Sequence, residues 1–489
     1  MKLQPSHSMR PVMRLTAGLV TALVLAGCAS LSADGQRSAV AKHLEQRLPA
    51  DSRLPGSDPQ TQADAKARIA QWLEQPVEAD TAVRIALLNN PGLQARLAEL
   101  GIRDAERVRA LTLVNPSLTF GRFTSATERE LERQLSFGLI DIITLPWRTR
   151  WQGWQMEQAT LTVAQQVLAV AADTRRAWLR AVAAQQVLAA NERMSEAASL
   201  GAELASRMGA IGNFNKLEQA REIAAQQAST AALARARLGA EIERENLARW
   251  MGLWGRQAGF KLPEKLPALP GAKNLRQGRD AEATALRERL DLRALRRDLD
   301  VMAERHGVAG VNALFGDIGL TYTHNRSTER ATGEQSGKHG WEVELPIPLF
   351  DWGGAARGRA RAGMERSAAL LRENAITARS EARTSWLRYR TAWDLAHQQQ
   401  AEVLPLARQV QEETVYRYNG MFASVWLLLA QARATTQVVA AAAEAQRDFW
   451  LADTDLQLAL TGTSPGTSPG AAAPLAAATS SANTNNESH

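Results

Sequence analysis

Few residues of this chain have the type and spacing needed for chemistry. Its 489 residues include seven His and a single Cys, Cys28. The His residues are scattered, and there is no HExxH or CxxC spacing and no Gly-rich phosphate loop. The sequence therefore predicts that the protein is not an enzyme and has neither a metal site nor a cofactor.

The lone cysteine lies in a segment typical of lipid attachment. Basic residues precede an apolar run from Leu15 to Leu25, which is too short to span a bilayer and is typical of a signal peptide. The run ends in Leu-Ala-Gly-Cys, a bacterial lipobox. We predict a signal peptide over 1–27 and covalent lipid on Cys28, with an ordinary secretory signal as the alternative. Ala29 follows instead of Asp, which by resemblance to such lipoproteins favours the outer membrane.

The composition indicates long helices. Ala, Leu, Arg, Gln and Glu dominate, and aromatic residues make up only 5% of the chain. The formal net charge is +7, but the arginines alternate with acidic residues along helical windows. We therefore predict no nucleic-acid partner, because phosphate-binding proteins carry dense basic patches.

Two halves of the chain repeat one pattern. Each half has a helical segment, a predicted hairpin, a helix of about 60 residues reaching about 90–100 Å, and a shorter helix. The first repeat is predicted over 61–260 with its hairpin at 115–143. The second is predicted over 280–460 with its hairpin at 316–350. A Pro-rich equatorial link at 261–279 joins them, a lipid-anchored tether occupies 28–60, and 461–489 is predicted to be a disordered tail.

The predicted strands alternate apolar and polar residues, as in Trp341-Glu342-Val343-Glu344-Leu345. Four strands cannot close a sheet, and open edges are not tolerated in hydrocarbon. Three copies would supply about twelve strands, within the range of transmembrane barrels. The fold class predicted is mainly α with a small β part, with long helices and hairpins in duplicate. It would form a trimeric α-barrel and a twelve-stranded transmembrane β-barrel.

In two stretches a predicted strand is followed directly by a predicted helix. In the second repeat we expect Pro346 and Pro348 to end sheet pairing, Asp351 to cap the next helix, and Gly353 to redirect the chain. In the first repeat Asp141 is the equivalent acid, and Pro146 is expected in the first helical turn.

These features together resemble the TolC-like outer-membrane factor family, lipoprotein type. The resemblance rests on the lipobox, the NNPGL helix opening at Asn89 to Leu93, the LPIPLFDWG junction at Leu345 to Gly353, and the duplicated plan. It implies a homotrimeric outer-membrane exit duct of a tripartite efflux system, with a periplasmic adaptor and an inner-membrane pump as partners. Its helices would lie in the periplasm of a Gram-negative bacterium, and its barrel in outer-membrane lipid.

The same resemblance implies adaptor contact at the periplasmic helix turns, near Gly209, Gly212, Gly420 and Ser424. A backbone turn with positive φ explains such glycines equally well. Two other functions stay open: a lipid-anchored periplasmic coiled-coil scaffold or adaptor, and a duct for type I protein secretion. Metal ions, drugs and proteins all remain candidate cargo.

Overall fold

The computed structural model describes residues 30–56, 58–314, 318–345 and 352–466. Its four strands are β1 (Ser117–Thr124), β2 (Glu128–Gly138), β3 (Gly319–Glu329) and β4 (Gln335–Glu344). The helices within the described ranges are α1 (Arg37–Leu44), α2 (Pro59–Leu73), α3 (Ala79–Asn89), α4 (Pro91–Leu111), α5 (Ile140–Ala210), α6 (Lys216–Met251), α7 (Ala281–Glu288), α8 (Leu290–Leu314), α9 (Gly354–Gln398), α10 (Leu404–Asn419) and α11 (Val425–Thr461).

The chain divides into two compact units. One unit, here called the sheet unit, contains the described residues of 1–36, 97–161 and 293–373. The other, the helical unit, contains the described residues of 37–96, 162–292 and 374–489. Each unit draws on both repeats, so the duplicated pattern of the sequence is present in both.

The sheet unit contains a four-stranded antiparallel sheet in the order β1-β2-β3-β4. Its central pairing joins the two repeats, because β2 pairs with β3 from Glu128 opposite Glu329 to Gly138 opposite Gly319. The predicted fold class of long helices with a few strands per chain is confirmed. In the sheet, β1 and β4 each have a partner on one side only.

The first strand-to-helix junction lies earlier than expected. The hairpin ends at Gly138 instead of residue 143, and α5 begins at Ile140. The register of β2 with β3 ends at Gly138, although the Leu139 amide still donates to the Ile318 carbonyl at 2.9 Å. The Leu139 carbonyl then accepts from the Ile142 and Ile143 amides. Pro146 therefore lies inside α5 and not in its first turn, where its missing N–H removes one helical hydrogen bond.

The NNPGL stretch is a capping device in the helical unit. The Asn89 side-chain amide donates to the carbonyls of Met251 (3.0 Å) and Gly252 (2.8 Å) at the end of α6. The neighbouring Asn90 carboxamide accepts from the Leu93 amide (3.1 Å) and so caps the start of α4. Gly252 has a φ of 69°, and a Cβ there would lie 2.6 Å from the Asn89 carbonyl oxygen. This break divides the helical segment predicted before the first hairpin into α3 and α4.

The second repeat breaks its helix at the equivalent place with different chemistry. Arg289, between α7 and α8, is 1% exposed. Its guanidinium donates to Asp291 at 2.6 Å, to Glu381 at 2.7 Å and to the Ser464 hydroxyl at 3.3 Å. Burial alone would lower the pKa of Arg289, but the hydrogen bonds and charges of the two carboxylates outweigh it and raise the pKa. The side chain therefore stays charged, and its hydrogen bond to Ser464 holds the segment after α11 in place.

Tryptophan side chains fasten the Pro-rich link. Its carbonyls have no helical partners, and the indole N–H groups of Trp393 and Trp450 donate to Pro270 (3.0 Å) and Pro267 (2.9 Å). The Gln446 amide also donates to Pro267, at 2.6 Å. The link is thus bonded to α9 and α11 by side chains, because proline leaves its backbone without a regular ladder.

The N-terminal segment is more structured than the tether we expected over 28–60. Val40 and Leu44 of α1 are buried in the helical unit, and Arg47 donates to the carbonyls of Glu288 (2.9 Å) and Thr461 (2.6 Å). In the sheet unit the Ser32 amide donates to Asp104 at 2.8 Å. Apolar residues within a polar stretch explain the difference, because they fold onto the repeats.

Two more boundaries differ from expectation. The helix of about 60 residues predicted in the second repeat is interrupted by a π-helical turn at Gln399–Val403, just before Pro405. Proline cannot donate to the preceding turn, and a wider turn accommodates the lost bond. The chain is also ordered past residue 461, since Thr463 is buried and accepts from Gln165 at 2.8 Å.

Among the described residues, no helix combines the length and apolar character needed to cross a membrane.

Candidate functional site

The sheet has one apolar face. Cross-strand register places Leu118, Leu135, Tyr322 and Trp341 in one row on that face. The rings of Tyr322 and Trp341 lie 5.0 Å apart, which fixes their common side. Much of this face is exposed to solvent in the single chain, since Leu118 is 58% exposed and Trp341 is 66% exposed. Exposed apolar area of this kind marks an interaction surface.

The arginines and the glutamates of the strands lie on opposite faces of the sheet, and Lys338 lies on the face of the glutamates. All four strand arginines fall on the apolar face, where the register aligns them with the apolar residues: Arg122, Arg129, Arg133 and Arg326. All six strand glutamates fall on the other face: Glu128, Glu130, Glu132, Glu329, Glu342 and Glu344. Side-chain bonds confirm the second face, as Asn325 donates to Glu130 at 3.1 Å. The sheet thus has a polar, acidic side and an apolar side with basic residues.

The turn between α5 and α6 is closed by a glycine. Gly212 has a φ of 79°, and the Asn213 amide donates back to the Met208 carbonyl at 3.0 Å. Asn215 then caps α6 by accepting from the Glu218 amide at 2.8 Å. Gly209 belongs to the last turn of α5 and not to the turn itself.

The turn between α10 and α11 has the same backbone pattern with a different residue. The Phe422 amide donates to the Arg417 carbonyl at 2.8 Å, as Asn213 does in the first repeat. Positive φ falls on Met421, at 62°, while Gly420 has a φ of −79°. The expectation that Gly420 supplies the positive φ is therefore wrong. Ser424 caps α11 by accepting from the Leu427 amide at 3.3 Å.

The two turns are held together within the helical unit. Phe214 of the first stacks on Trp426 beside the second, with ring centroids 4.6 Å apart. One step further, Arg433 of α11 donates to Glu222 of α6 at 2.6 Å, and both side chains are largely buried. A Cβ on Gly201 would lie 3.2 Å from the Glu222 carboxylate, so the glycine gives that pair its space. Glu222 is thus an ion-paired carboxylate and not a solvated surface charge.

The paired turns also present apolar side chains to solvent. Met421 is 93% exposed and Phe422 is 87% exposed. Ile211 and Leu217 of the other turn are 71% and 61% exposed. We call these four side chains the turn patch. A bare apolar patch on a turn is the expected form of a protein-docking surface.

The junction residues are only partly within the described chain. Gly353 has a φ of 76°, and its carbonyl accepts from the Arg357 amide at 3.0 Å at the start of α9. Asp141 lies in the first turn of α5. Pro346, Pro348 and Asp351 lie outside the described residues, as does Cys28.

Comparison with solved structures gives consistent matches. The Campylobacter jejuni CmeC outer membrane channel matches with a TM-score of 0.65 at 15% identity, over 90% of this chain and 94% of that one. The outer-membrane channel OprN matches with a TM-score of 0.62 at 18% identity, over 80% of this chain and 92% of that one. The open state of the Neisseria gonorrhoeae MtrE outer membrane channel matches with a TM-score of 0.60 at 16% identity, over 79% of this chain and 89% of that one.

The chain has the fold of these outer-membrane channels. The resemblance to TolC-like outer-membrane factors is thereby confirmed at the level of the fold. No protein-family model matches the sequence, and no curated protein does. The likeness to the channel fold therefore lies in the arrangement of helices and strands more than in residue identity.

Sequence reasoning missed several residues of the channel-fold turns. Nothing in the Gln-Ala-Arg sequence that ends at Arg433 indicates its partner Glu222. The sequence gives no signal for Met421 and Phe422, because the neighbouring Gly420 is the residue type that usually adopts positive φ. Within the described ranges, no three His, Cys, Asp or Glu side chains are grouped so as to hold a metal ion.

Proposed function

We propose that the protein is the outer-membrane exit duct of a tripartite efflux system. It would assemble as a homotrimer, with its sheet in the outer membrane and its helices in the periplasm. Substrates would pass through without chemical change, driven by an inner-membrane pump. The covalent lipid on Cys28 would add a membrane anchor, since several acyl chains together bind a bilayer firmly.

The observation that carries this proposal is the open sheet with a bare apolar face. β1 and β4 are free on one side within the sheet, and the apolar face exposes Trp341 and Phe120 at 66% and 67%. Neither feature is stable alone: free strand edges invite pairing, and hydrocarbon tolerates only closed sheets. Three copies, joined β1 to β4, would form twelve strands around the acidic, polar face.

The turn patch supports the partner assignment. An adaptor that docks on helix turns needs apolar anchors with a polar surround, because the centre of an interface is apolar and its rim polar. Met421 and Phe422 supply such anchors in one repeat, and Ile211 and Leu217 do so in the other. We place the adaptor contact on these side chains, beside Gly209, Gly212, Gly420 and Ser424.

Membrane fractionation of a Cys28→Ser variant tests the proposal. Replacing Cys28 removes the lipid but leaves the sheet, so we expect the variant to remain in carbonate-washed outer membranes. On an SDS gel it should run as a trimer band that disappears on boiling. The unmodified protein is the control for both readouts.

The opposite outcome would favour the periplasmic scaffold. A scaffold held only by acyl chains would be released from the membrane by Cys28→Ser and would run as a dispersed monomer in buffer without detergent. That result would reject the duct. Type I protein secretion uses the same exit geometry, and it would be recognised by loss of a secreted protein, with drug resistance unchanged, when the chain is deleted.

A further inference from the structure

The four strand arginines on the apolar face have no counter-charge within the described part of the chain. The register puts every strand glutamate on the opposite face, and no described carboxylate forms an ion pair with Arg122, Arg129, Arg133 or Arg326. Arg133 and Arg326 are exposed on the sheet surface. This row of exposed cations is available to bind anions from outside the chain.

The positions of these arginines along the strands are ordered. Nearest the helices, the apolar face carries only apolar and aromatic rows: Phe137, Leu320 and Val343, then Leu118, Leu135, Tyr322 and Trp341. Beyond Phe120, Arg133 lies opposite His324, and His324 lies opposite His339. The next rows contain Arg122, Arg326 and Arg129. The face therefore changes from apolar to cationic with distance from the helices, and we call the second part the cationic band.

Membrane energetics restrict where the cationic band can lie. An arginine on the lipid face of a barrel costs about 2–4 kcal/mol at the bilayer midplane and little near the interface. The band must then lie at the boundary between hydrocarbon and headgroups. In the proposed duct the helices are periplasmic, so this boundary belongs to the outer leaflet.

We infer that the cationic band binds the phosphate groups of the phosphorylated glycolipid of the outer leaflet. The inference rests on the proposed membrane location of the sheet. Arginine suits this ligand because its planar guanidinium forms paired bonds to phosphate oxygens and never loses its charge. Four arginines and two histidines from each chain would give a closed trimer a continuous basic collar at the headgroup level. The acidic face of the sheet would line the interior of the barrel.

Lipid binding by the intact, purified trimer tests this inference. The probes are bis-phosphorylated lipid A and the same lipid A with both phosphates removed, each measured by native mass spectrometry after detergent extraction. We expect the unmodified protein to retain the phosphorylated form preferentially. Arg122→Gln, Arg129→Gln, Arg133→Gln and Arg326→Gln combined should reduce this preference at least about tenfold, since each basic residue contributes to headgroup attraction.

The matched control neutralises the same number of charges on the other face. Glu128→Gln, Glu130→Gln, Glu132→Gln and Glu329→Gln combined should keep the preference for phosphorylated lipid A. If the fourfold arginine variant forms no trimer, the double variant Arg122→Gln and Arg326→Gln replaces it, with the control reduced to Glu130→Gln and Glu132→Gln.

Two results would overturn the inference, and they differ from failure of the duct itself. Equal retention of both lipid A forms, or an unchanged preference in the arginine variant, would reject phosphate binding while the trimer band and membrane retention persist. Release of the Cys28→Ser protein from washed membranes would instead reject the membrane location and, with it, the lipid contact.

Discussion

At the residue scale, the helix breaks at equivalent places in the two repeats are stabilised by side chains of different kinds. Asn89 caps a helix end with a neutral amide, whereas Arg289 bridges two carboxylates and a hydroxyl in a buried position. The two solutions differ in their sensitivity to mutation. Removing a neutral amide lowers the free energy of unfolding modestly. Removing a buried charge lowers it more, because the oppositely charged partners are left unpaired.

We therefore expect Arg289→Leu to destabilise the protein strongly. Removing one partner of a buried ion pair costs about 3–5 kcal/mol, because Asp291 and Glu381 would be left without it. Thermal unfolding of the purified protein measures the change. Arg287→Leu is the matched control, since that side chain is 73% exposed and its pair with Glu288 should contribute little. Equal effects of the two variants would contradict the role given to Arg289.

Asp104 gives the N-terminal attachment a pH dependence. This carboxyl is 1% exposed. Burial alone would raise its pKa, but the bonds from the Ser32 amide, Arg107 and Gln36 outweigh it and hold the pKa below its ordinary value of 3.8. Because the pKa is lowered in the folded protein, the carboxylate stabilises the attachment above about pH 4, and this contribution is lost as the pH falls further.

Limited proteolysis of the segment around Ser32 measures that attachment. We expect cleavage to increase as the pH is lowered from neutral through about 4, with an acid-active protease. Asp104→Ala should be cleaved more readily than the unmodified protein at each pH above about 4 at which the protease is active, because it cannot accept these bonds. Protection of Asp104→Ala equal to that of the unmodified protein would show that other contacts hold the segment.

At the element scale, the Pro-rich link shows how side chains replace a missing backbone ladder. Trp393→Phe should destabilise the protein by about 1 kcal/mol, because the partly buried carbonyl of Pro270 loses its donor. Trp254→Phe is the control, because Trp254 is 82% exposed. Denaturant unfolding of both variants makes the comparison, and an unchanged midpoint for Trp393→Phe would exclude a structural role for the indole bond.

The elements also show what the sequence can and cannot reveal. Period-two alternation located the four strands, and the lengths of the helical windows located α5, α6, α9 and α11, because both patterns are local. Helix breaks at Asn90 and Arg289 were missed because they depend on partners distant in sequence: Met251 lies 162 residues from Asn89, and Glu381 lies 92 residues from Arg289. The α5 start was misplaced because the helix begins at Ile140, directly after the last β2–β3 pair, whereas Pro146 was expected to mark its first turn.

The candidate site was predicted less well than the fold. Gly212 follows from local turn chemistry, but Met421 in the same backbone conformation contradicts the usual preference for glycine there. The pairing of Phe214 with Trp426 and of Glu222 with Arg433 joins the two repeats across the helical unit. Nothing in either segment alone specifies the other.

At the scale of the whole molecule, the pair of Arg433 and Glu222 ties the helix pair of one repeat to that of the other. If the trimer conducts, as we propose, loosening this tie near the turns should favour a wider opening. We expect Arg433→Ala to raise single-channel conductance in planar bilayers and to increase uptake of vancomycin by whole cells. The charge exchange Arg433→Glu with Glu222→Arg should return both values toward those of the unmodified protein.

The outcome separates gating from folding. If Arg433→Ala keeps the heat-sensitive trimer but leaves conductance unchanged, the pair is structural only. If the exchange variant fails to restore conductance while forming the trimer, the effect of Arg433→Ala does not come from the lost ion pair.

Met421 also makes the protein vulnerable to oxidants. Its thioether is 93% exposed, and conversion to the sulfoxide would turn an apolar anchor into a polar one. Hypochlorite or peroxide would then make the turn patch less apolar while the helices beneath it stay folded. A sulfoxide reductase would restore the thioether and with it the apolar surface.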